Sequence, residues 1–170
     1  MTDLEARVAS LAARLQAVED ELAITRLLTS YGFAVDGDDP DACADIYTPD
    51  AIATIDDTVT LTGREELRGI VTSEAHQAIL PGCAHVMGPF TIYVNGDTAT
   101  ATGYATVYVT EPSGRSVWRQ SVGRWTFART PGGWKVTRRE SWARGSAQGQ
   151  AIARDGVHQV LDENGSAADR

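Results

Sequence analysis

Positive charge is scarce in this sequence: 15 Lys and Arg stand against 23 Asp and Glu, a formal net charge of −8, with no basic run to offset it locally. A surface of that sign repels nucleic acid and anionic membrane faces, so neither is expected as a partner. Long apolar runs are missing too. No window approaches the roughly 20 residues that a membrane-spanning helix needs, and the N-terminal MTDLEAR lacks the basic-then-apolar pattern of a secretion signal. A cytoplasmic protein is expected. Cysteine is limited to Cys43 and Cys83, both in segments that read as core, which favours free thiols over a bridge. Histidine is limited to His76, His85 and His158, without HxH or HxxxH spacing, so neither a metal site nor a cofactor is expected.

What is present, 170 residues that are 42% apolar and 22% charged, suits one domain whose core can enclose a pocket. Residues 1–145 are read as that domain. Residues 146–170 are read as a tail, small and polar around Ile152, Val157 and Val160, with its middle able to fold over an opening and its end disordered.

Thr2-Asp3-Leu4-Glu5 is a capping-box pattern, and Leu4, Val8, Leu11, Leu15, Val18 and Leu22 follow at alternating spacings of four and three. That is a heptad seam on a long helix, lying either between subunits or against its own domain. Ile24, Leu27, Leu28, Tyr31 and Val35 continue the helix. Asp36-Gly37-Asp38-Asp39-Pro40 then reads as a helix stop followed at once by a new start. Asp39 reads as an N-cap and Pro40 as a first helical residue. Asp36 has no such local role: its carboxylate faces the negative end of the helix dipole, which costs a few tenths of a kcal/mol unless a donor meets it.

The second helix is expected to run from Pro40 to about Tyr47. Residues 51–61 suggest a hairpin around Asp56-Asp57, and Thr62-Gly63-Arg64-Glu65 a second capping box opening a helix with Leu67, Ile70 and Val71. From Cys83 the period changes to two, in runs 83–94, 98–111, 115–129 and 133–145. Turn residues at Asn95-Gly96-Asp97, Pro112-Ser113-Gly114 and Pro131-Gly132-Gly133 separate them. Helices first and strands after imply α+β, with helices packed on an antiparallel meander.

His85 shares one strand face with Cys83 and Met87. Such an imidazole is either satisfied in a core by a carbonyl or hydroxyl, or paired with an acid from the helical half, Asp36 being the leading candidate. A Cys83–His85 nucleophile pair is disfavoured, because side chains two apart on a strand stand roughly 6 to 7 Å apart. Arg144, sharing a face with Trp142 near the end of the last strand, is either a surface arginine lying on an aromatic or an anion clamp at a pocket mouth. Tyr31 is either a buried hydroxyl or a proton donor.

Tyr31-x4-Asp36-Gly37-x-Asp39, Tyr47-Thr48-Pro49-Asp50-Ala51, a strand opened by His85, and Gly132-Gly133-Trp134-Lys135-Val136 together resemble the SnoaL-like branch of the nuclear transport factor 2-like superfamily, over residues 15 to 145. The resemblance implies a cone-shaped α+β barrel, its N-terminal helices packed on a curved antiparallel sheet that encloses a pocket. The family holds dehydratases, isomerases and polyketide cyclases, and also domains without catalysis, so fold alone does not select a reaction. Its dehydratases carry an Asp at the end of the first long helix and a His at the head of a strand, matching Asp36 and His85. The bile-acid dehydratase member adds a Tyr matching Tyr31 and an Arg matching Arg144. The resemblance therefore implies a cofactor-independent lyase or isomerase for a hydrophobic oxygenated small molecule, with Asp36, His85 and Tyr31 catalytic and Arg144, Trp142 and Met87 contacting substrate. A SnoaL-type polyketide cyclase and a non-catalytic binding or assembly module are the alternatives. With the heptad seam, it also implies a homo-oligomer, dimer or trimer.

Overall fold

A computed structural model describes residues 2–168, with side chains described through residue 161. The first helix, α1, runs Asp3–Asp36 without a glycine before Gly32 or any proline, and it opens with the capping box in which Thr2 and Glu5 satisfy each other's backbone N–H groups. It stops at Gly37. Asp38, in the left-handed region at φ 54°, turns the chain into α2 (Pro40–Asp45), whose first turn is capped by Asp39 accepting from the Ala42 N–H.

The strands are β1 (Tyr47–Ile55), β2 (Val59–Thr62), β3 (Cys83–Asn95), β4 (Thr98–Glu111), β5 (Gly114–Thr130) and β6 (Gly133–Ala143). Helices α3 (Gly63–Thr72) and α4 (Glu74–Gln77) lie between β2 and β3, and α5 (Ala147–Ala168) follows β6. The strands form one six-stranded sheet in the order β2-β1-β6-β5-β4-β3. The architecture is α+β with helices on a sheet, as the sequence implies, and three details differ. The sheet is mixed, because β1 arrives beside β6 in parallel while every other pair is antiparallel. It does not close: β2 and β3 remain as edges, so the barrel of the resemblance is an open cone. Thr62 makes no side-chain cap; instead its own N–H donates to Glu66.

Bulges set which side chains face inward. On β3 the bulge between Met87 and Phe90, where Gly88 sits at φ 97°, bends the edge strand. On β6, Val136 pairs with Phe127 but Arg138 with Thr126, so Thr137 is an extra residue that reverses the alternation beyond it. Trp134 and Val136 face α1's side of the sheet, and after the bulge Arg139, Ser141 and Ala143 do so.

Helix α1 docks on that inner face from Asp20 onward. Ile24, Leu28, Tyr31 and Val35 enter a core with Tyr47, Leu67, Val71, Trp125 and Phe127. Gly32 permits the closest approach: a Cβ there would stand 2.9 Å from the carbonyl oxygen of His85. The tail does not cover this face. Helix α5 packs on the opposite one, where Gly156 meets Thr102 and Asp155 pairs with Arg124. The disorder expected at the chain's end falls on positions 162–170, whose side chains lie outside the described residues. No described helix is long and apolar enough to cross a membrane.

Asp20 fixes where α1 joins the domain. One carboxylate oxygen accepts from Arg129, the Trp134 indole and Gln16, the other from Arg129 again. The Arg129 hydrogen bonds hold its carboxyl down at about 2. A depressed carboxylate contributes stability that is present above the unfolded value near 4 and is lost as pH falls from about 4 toward 2. Asp20→Asn is expected to lower stability at neutral pH by roughly 1.5–3 kcal/mol, the range for hydrogen bonds to a charged group. Urea unfolding followed from pH 7 to pH 2 checks this, because the gap between the two proteins should shrink toward zero at the acid end.

Candidate active site

The lone acid at the end of α1 finds its donors on β3. Asp36 Oδ2 accepts from the backbone N–H of His85 at 2.8 Å, and Oδ1 lies 2.6 Å from His85 Nδ1 and 3.5 Å from the Cys83 sulfur. Three donors thus offset the unfavourable placement at a helix C-terminus. With Nδ1–H committed to the carboxylate, Nε2 is the ring nitrogen left with its lone pair. Burial pulls the His85 imidazolium below its usual range, and Asp36 only partly opposes that shift. The ring is therefore neutral at pH 7, in the state a base requires.

Cys83 lies beside this pair as a thiol. Burial, reinforced by the neighbouring Asp36, pushes it up to about 11, so it donates to the carboxylate and is not a thiolate nucleophile. Asp36, Cys83 and His85 place their ligating atoms within 4.8 Å of one another and are the one such group among the described residues. The donor chemistry fits a hydrogen-bonded cluster better than a cation site, because the shared Oδ1 is already bonded to Nδ1 and the sulfur holds its proton.

His76, which nothing in its sequence context marks, lies next to His85 with ring centroids 5.7 Å apart. Its Nε2 is 2.8 Å from the carbonyl oxygen of Val35, so it donates there and helps to close the last turn of α1. Ser73 caps the short helix that carries it.

Tyr31 is buried on the same face of α1 as the core contacts, and its ring meets Trp125 edge-on at 5.2 Å. Burial raises its phenol above the usual range, so it is a neutral O–H. That oxygen accepts from Arg139 at 2.5 Å, and the guanidinium carbon lies 4.6 Å from the Tyr31 ring centroid and 4.8 Å from that of Trp125. Arg139 is buried, it has no carboxylate partner among the described residues, and its Nε finds no hydrogen-bond partner. A buried guanidinium without a carboxylate is costly, which makes Arg139 a candidate functional residue.

The sequence placed an arginine elsewhere. Uninterrupted alternation from Trp134 would bring Trp142 and Arg144 inward, but the extra residue Thr137 reverses it. Trp142 consequently pairs with outward-facing Val122, and Arg144 is an exposed cation lying 5.7 Å from the Tyr104 ring centroid on the outer face. The structure therefore brings Asp36, His85, Met87 and Tyr31 together with Arg139 on the inner side, and leaves Trp142 and Arg144 on the other.

Beside Arg139 lies a cleft lined also by Phe90, Gly103, Ser121, Gly123, Trp125 and Ser141. It holds only about 10 Å³, because the Phe90 ring fills the hollow over Gly103. A separate outer groove of about 1010 Å³ runs past Val86, Tyr108 and Trp118 and reaches the acid–imidazole pair through Cys83.

Comparison with known proteins identifies the family and the fold. The SnoaL-like domain family matches residues 16–140. An uncharacterized protein of Mycobacterium tuberculosis is 32% identical over 130 residues, 72% of this chain and 84% of its own. A nuclear transport factor 2-like protein of cystatin-like fold from Novosphingobium aromaticivorans is 36% identical with a TM-score of 0.81, covering 85% of this chain and 95% of that one. A provisionally assigned dehydratase from Streptomyces avermitilis shares the fold at a TM-score of 0.64 and 19% identity, over 75% of this chain and 98% of its own. The chain belongs to the SnoaL-like domain family, on the nuclear transport factor 2-like fold.

Proposed function

We propose that this protein is a cofactor-independent lyase of the dehydratase type, or an isomerase, for a hydrophobic oxygenated small molecule. The carrying observation is the double grip of Asp36 on His85, at Nδ1 and at the backbone N–H, which fixes the tautomer and frees Nε2 as a base. In this reading Nε2 removes a proton next to a substrate carbonyl. The Tyr31 O–H, polarised by the Arg139 guanidinium that its oxygen accepts from, donates to the developing enolate oxygen. In a dehydration the enolate collapses to the carbon–carbon double bond, the β-hydroxyl departs, and the imidazolium returns its proton to that oxygen as water. In an isomerisation the same proton goes back to a different carbon. Met87 and Phe90 supply apolar contact, and Phe90 swings off Gly103 to admit the substrate. The provisional dehydratase assignment of the Streptomyces avermitilis protein of the same fold agrees with this chemistry. A homo-oligomer belongs to the same proposal: Val86, Tyr93, Tyr104, Val117 and Trp118 are exposed on the sheet as a contact surface.

Three outcomes are expected. On a panel of hydrophobic β-hydroxy ketones, followed by enone absorbance and by deuterium uptake from D₂O beside the carbonyl, His85→Ala should lose at least ~10²-fold in turnover. Near-wild-type rates would remove His85 from the mechanism. Arg139→Met should lower kcat by ~10²-fold or more while KM changes little, and Arg139→Lys should recover part of the loss; an effect on KM alone would make Arg139 a binding group only. In an NMR titration, His85 should change protonation below its ordinary 6.5, and Asp36→Asn should move it lower still, since the carboxylate opposes the effect of burial. A titration unmoved by Asp36→Asn would sink the dyad.

A further inference from the structure

The first seventeen residues of α1 leave the domain altogether. Every position from Asp3 to Glu19 is exposed, and the first buried residue is Asp20. Over about 26 Å of helix, at 1.5 Å per residue, nothing among the described residues packs against it. Yet this arm carries the heptad seam: Leu4, Val8, Leu11, Leu15, Val18 and Leu22 are all between 46% and 70% exposed. A row of that length in water marks an interaction surface.

The seam does not point at the domain. If Val8, Leu15 and Leu22 are the a positions of the heptad and Leu4, Leu11 and Val18 the d positions, Asp20 falls at f and Ile24 at c, on the opposite side of the helix. Those are the residues that meet Arg129, Trp134 and the core. One side of α1 is thus committed to its own sheet and the other is left bare, so the helix cannot cover its seam by lying back on the domain that carries it. The seam also ends where docking begins, since the next d and a positions are Thr25 and Thr29, each with its hydroxyl turned onto its own helix's carbonyls.

Charge selects the occupant. The g positions are Arg7, Arg14 and Glu21 and the e positions Glu5, Ala12, Glu19 and Arg26. In a parallel, in-register pair each g residue meets the partner's e residue five positions later. Arg14 then faces Glu19 and Glu21 faces Arg26, each twice by symmetry, and Arg7 faces the neutral Ala12. An antiparallel pair stacks Leu4 on Leu22 and Leu11 on Leu15, but it places Arg14 against Arg14 and Glu5 against Glu19 twice, with only Arg7–Glu21 attractive. We propose that residues 4–22 of α1 form a parallel, in-register, two-stranded coiled coil with a second copy of this chain. The two domains hang on the outer sides of the pair, where the f positions point, and the catalytic reading plays no part in the inference.

The test uses the full-length protein. Leu11→Cys should cross-link to a dimer under mild oxidation, because a d position faces itself only in the parallel register; the wild type, which keeps buried Cys43 and partly buried Cys83, is the control. Sedimentation equilibrium gives the second readout. Arg14→Glu should weaken dimerisation by about tenfold, replacing two attractive contacts by two repulsive ones, and Arg14→Glu with Glu19→Arg should restore it to within about twofold. Residues 14 and 19 are five apart and are not neighbours on one helix, so the rescue can come only from between chains. Absence of the cross-link, an unchanged constant for Arg14→Glu, strengthening by Glu19→Arg alone as an antiparallel pair requires, or a trimer mass would each overturn the proposal.

Discussion

The contact on which the rest depends is the carboxylate of Asp36 against the first residues of β3. It ends a 34-residue helix with the wrong charge for a helix C-terminus, and the energy that would otherwise be lost there is returned by the N–H and ring of His85 and by the Cys83 thiol. Because one of those donors is backbone, the contact fixes where the strand lies as well as how the imidazole turns. Gly32 makes the distance possible by letting the helix backbone approach the His85 carbonyl. Helix docking and histidine orientation are therefore one event. A substitution that pushes α1 outward disturbs the His85 imidazole without touching it.

The docked part of α1 is held at both ends by an acid, and the two acids have different chemistry. Asp20 meets a guanidinium and an indole, partners that do not titrate in the physiological range, so its contact is permanent across ordinary pH. Asp36 meets an imidazole, whose burial keeps it neutral and whose charge state can change during a reaction. The first is suited to holding a helix, the second to moving a proton. Between them, eleven residues after Asp20, the helix carries Tyr31 to Arg139, so a single rigid element sets both His85 and Tyr31 against one sheet.

The sequence showed much of this because local signals were strong. Turn residues placed the four long strands to within a residue or two, and Asp36 stood out since Asp39 and Pro40 accounted for their neighbourhood while it did not. What it hid was long-range or phase-dependent. Nothing local shows that β1 lies parallel to β6, because that pairing is between segments almost ninety residues apart. Nor does anything local reveal the bulge at Thr137, which depends on how β5 and β6 pair. That one inserted residue exchanges Arg139 for Arg144 on the inner face, so period-two reading, correct up to Val136, gives the wrong arginine beyond it. His76 escaped for a similar reason: its meeting with His85 is made by the packing of α4, not by spacing.

The bulge also explains how the sheet serves two surfaces with one set of strands. Before it, β6 turns Trp134 and Val136 toward α1 to make core; after it, the same strand turns Arg139 and Ser141 inward to make a polar wall, and sends Trp142 and Arg144 out. Without the phase change the inner wall beyond Val136 would receive Arg138 and Glu140, a cation and an anion already paired to each other. Such a pair would cancel the charge at the position beside Tyr31. With it, one cation enters with no acid to neutralise it, held between two aromatic faces that tolerate it without supplying a counter-charge. The unmet charge is therefore a consequence of register, and in the proposed reaction it backs the Tyr31 hydroxyl that meets the enolate oxygen.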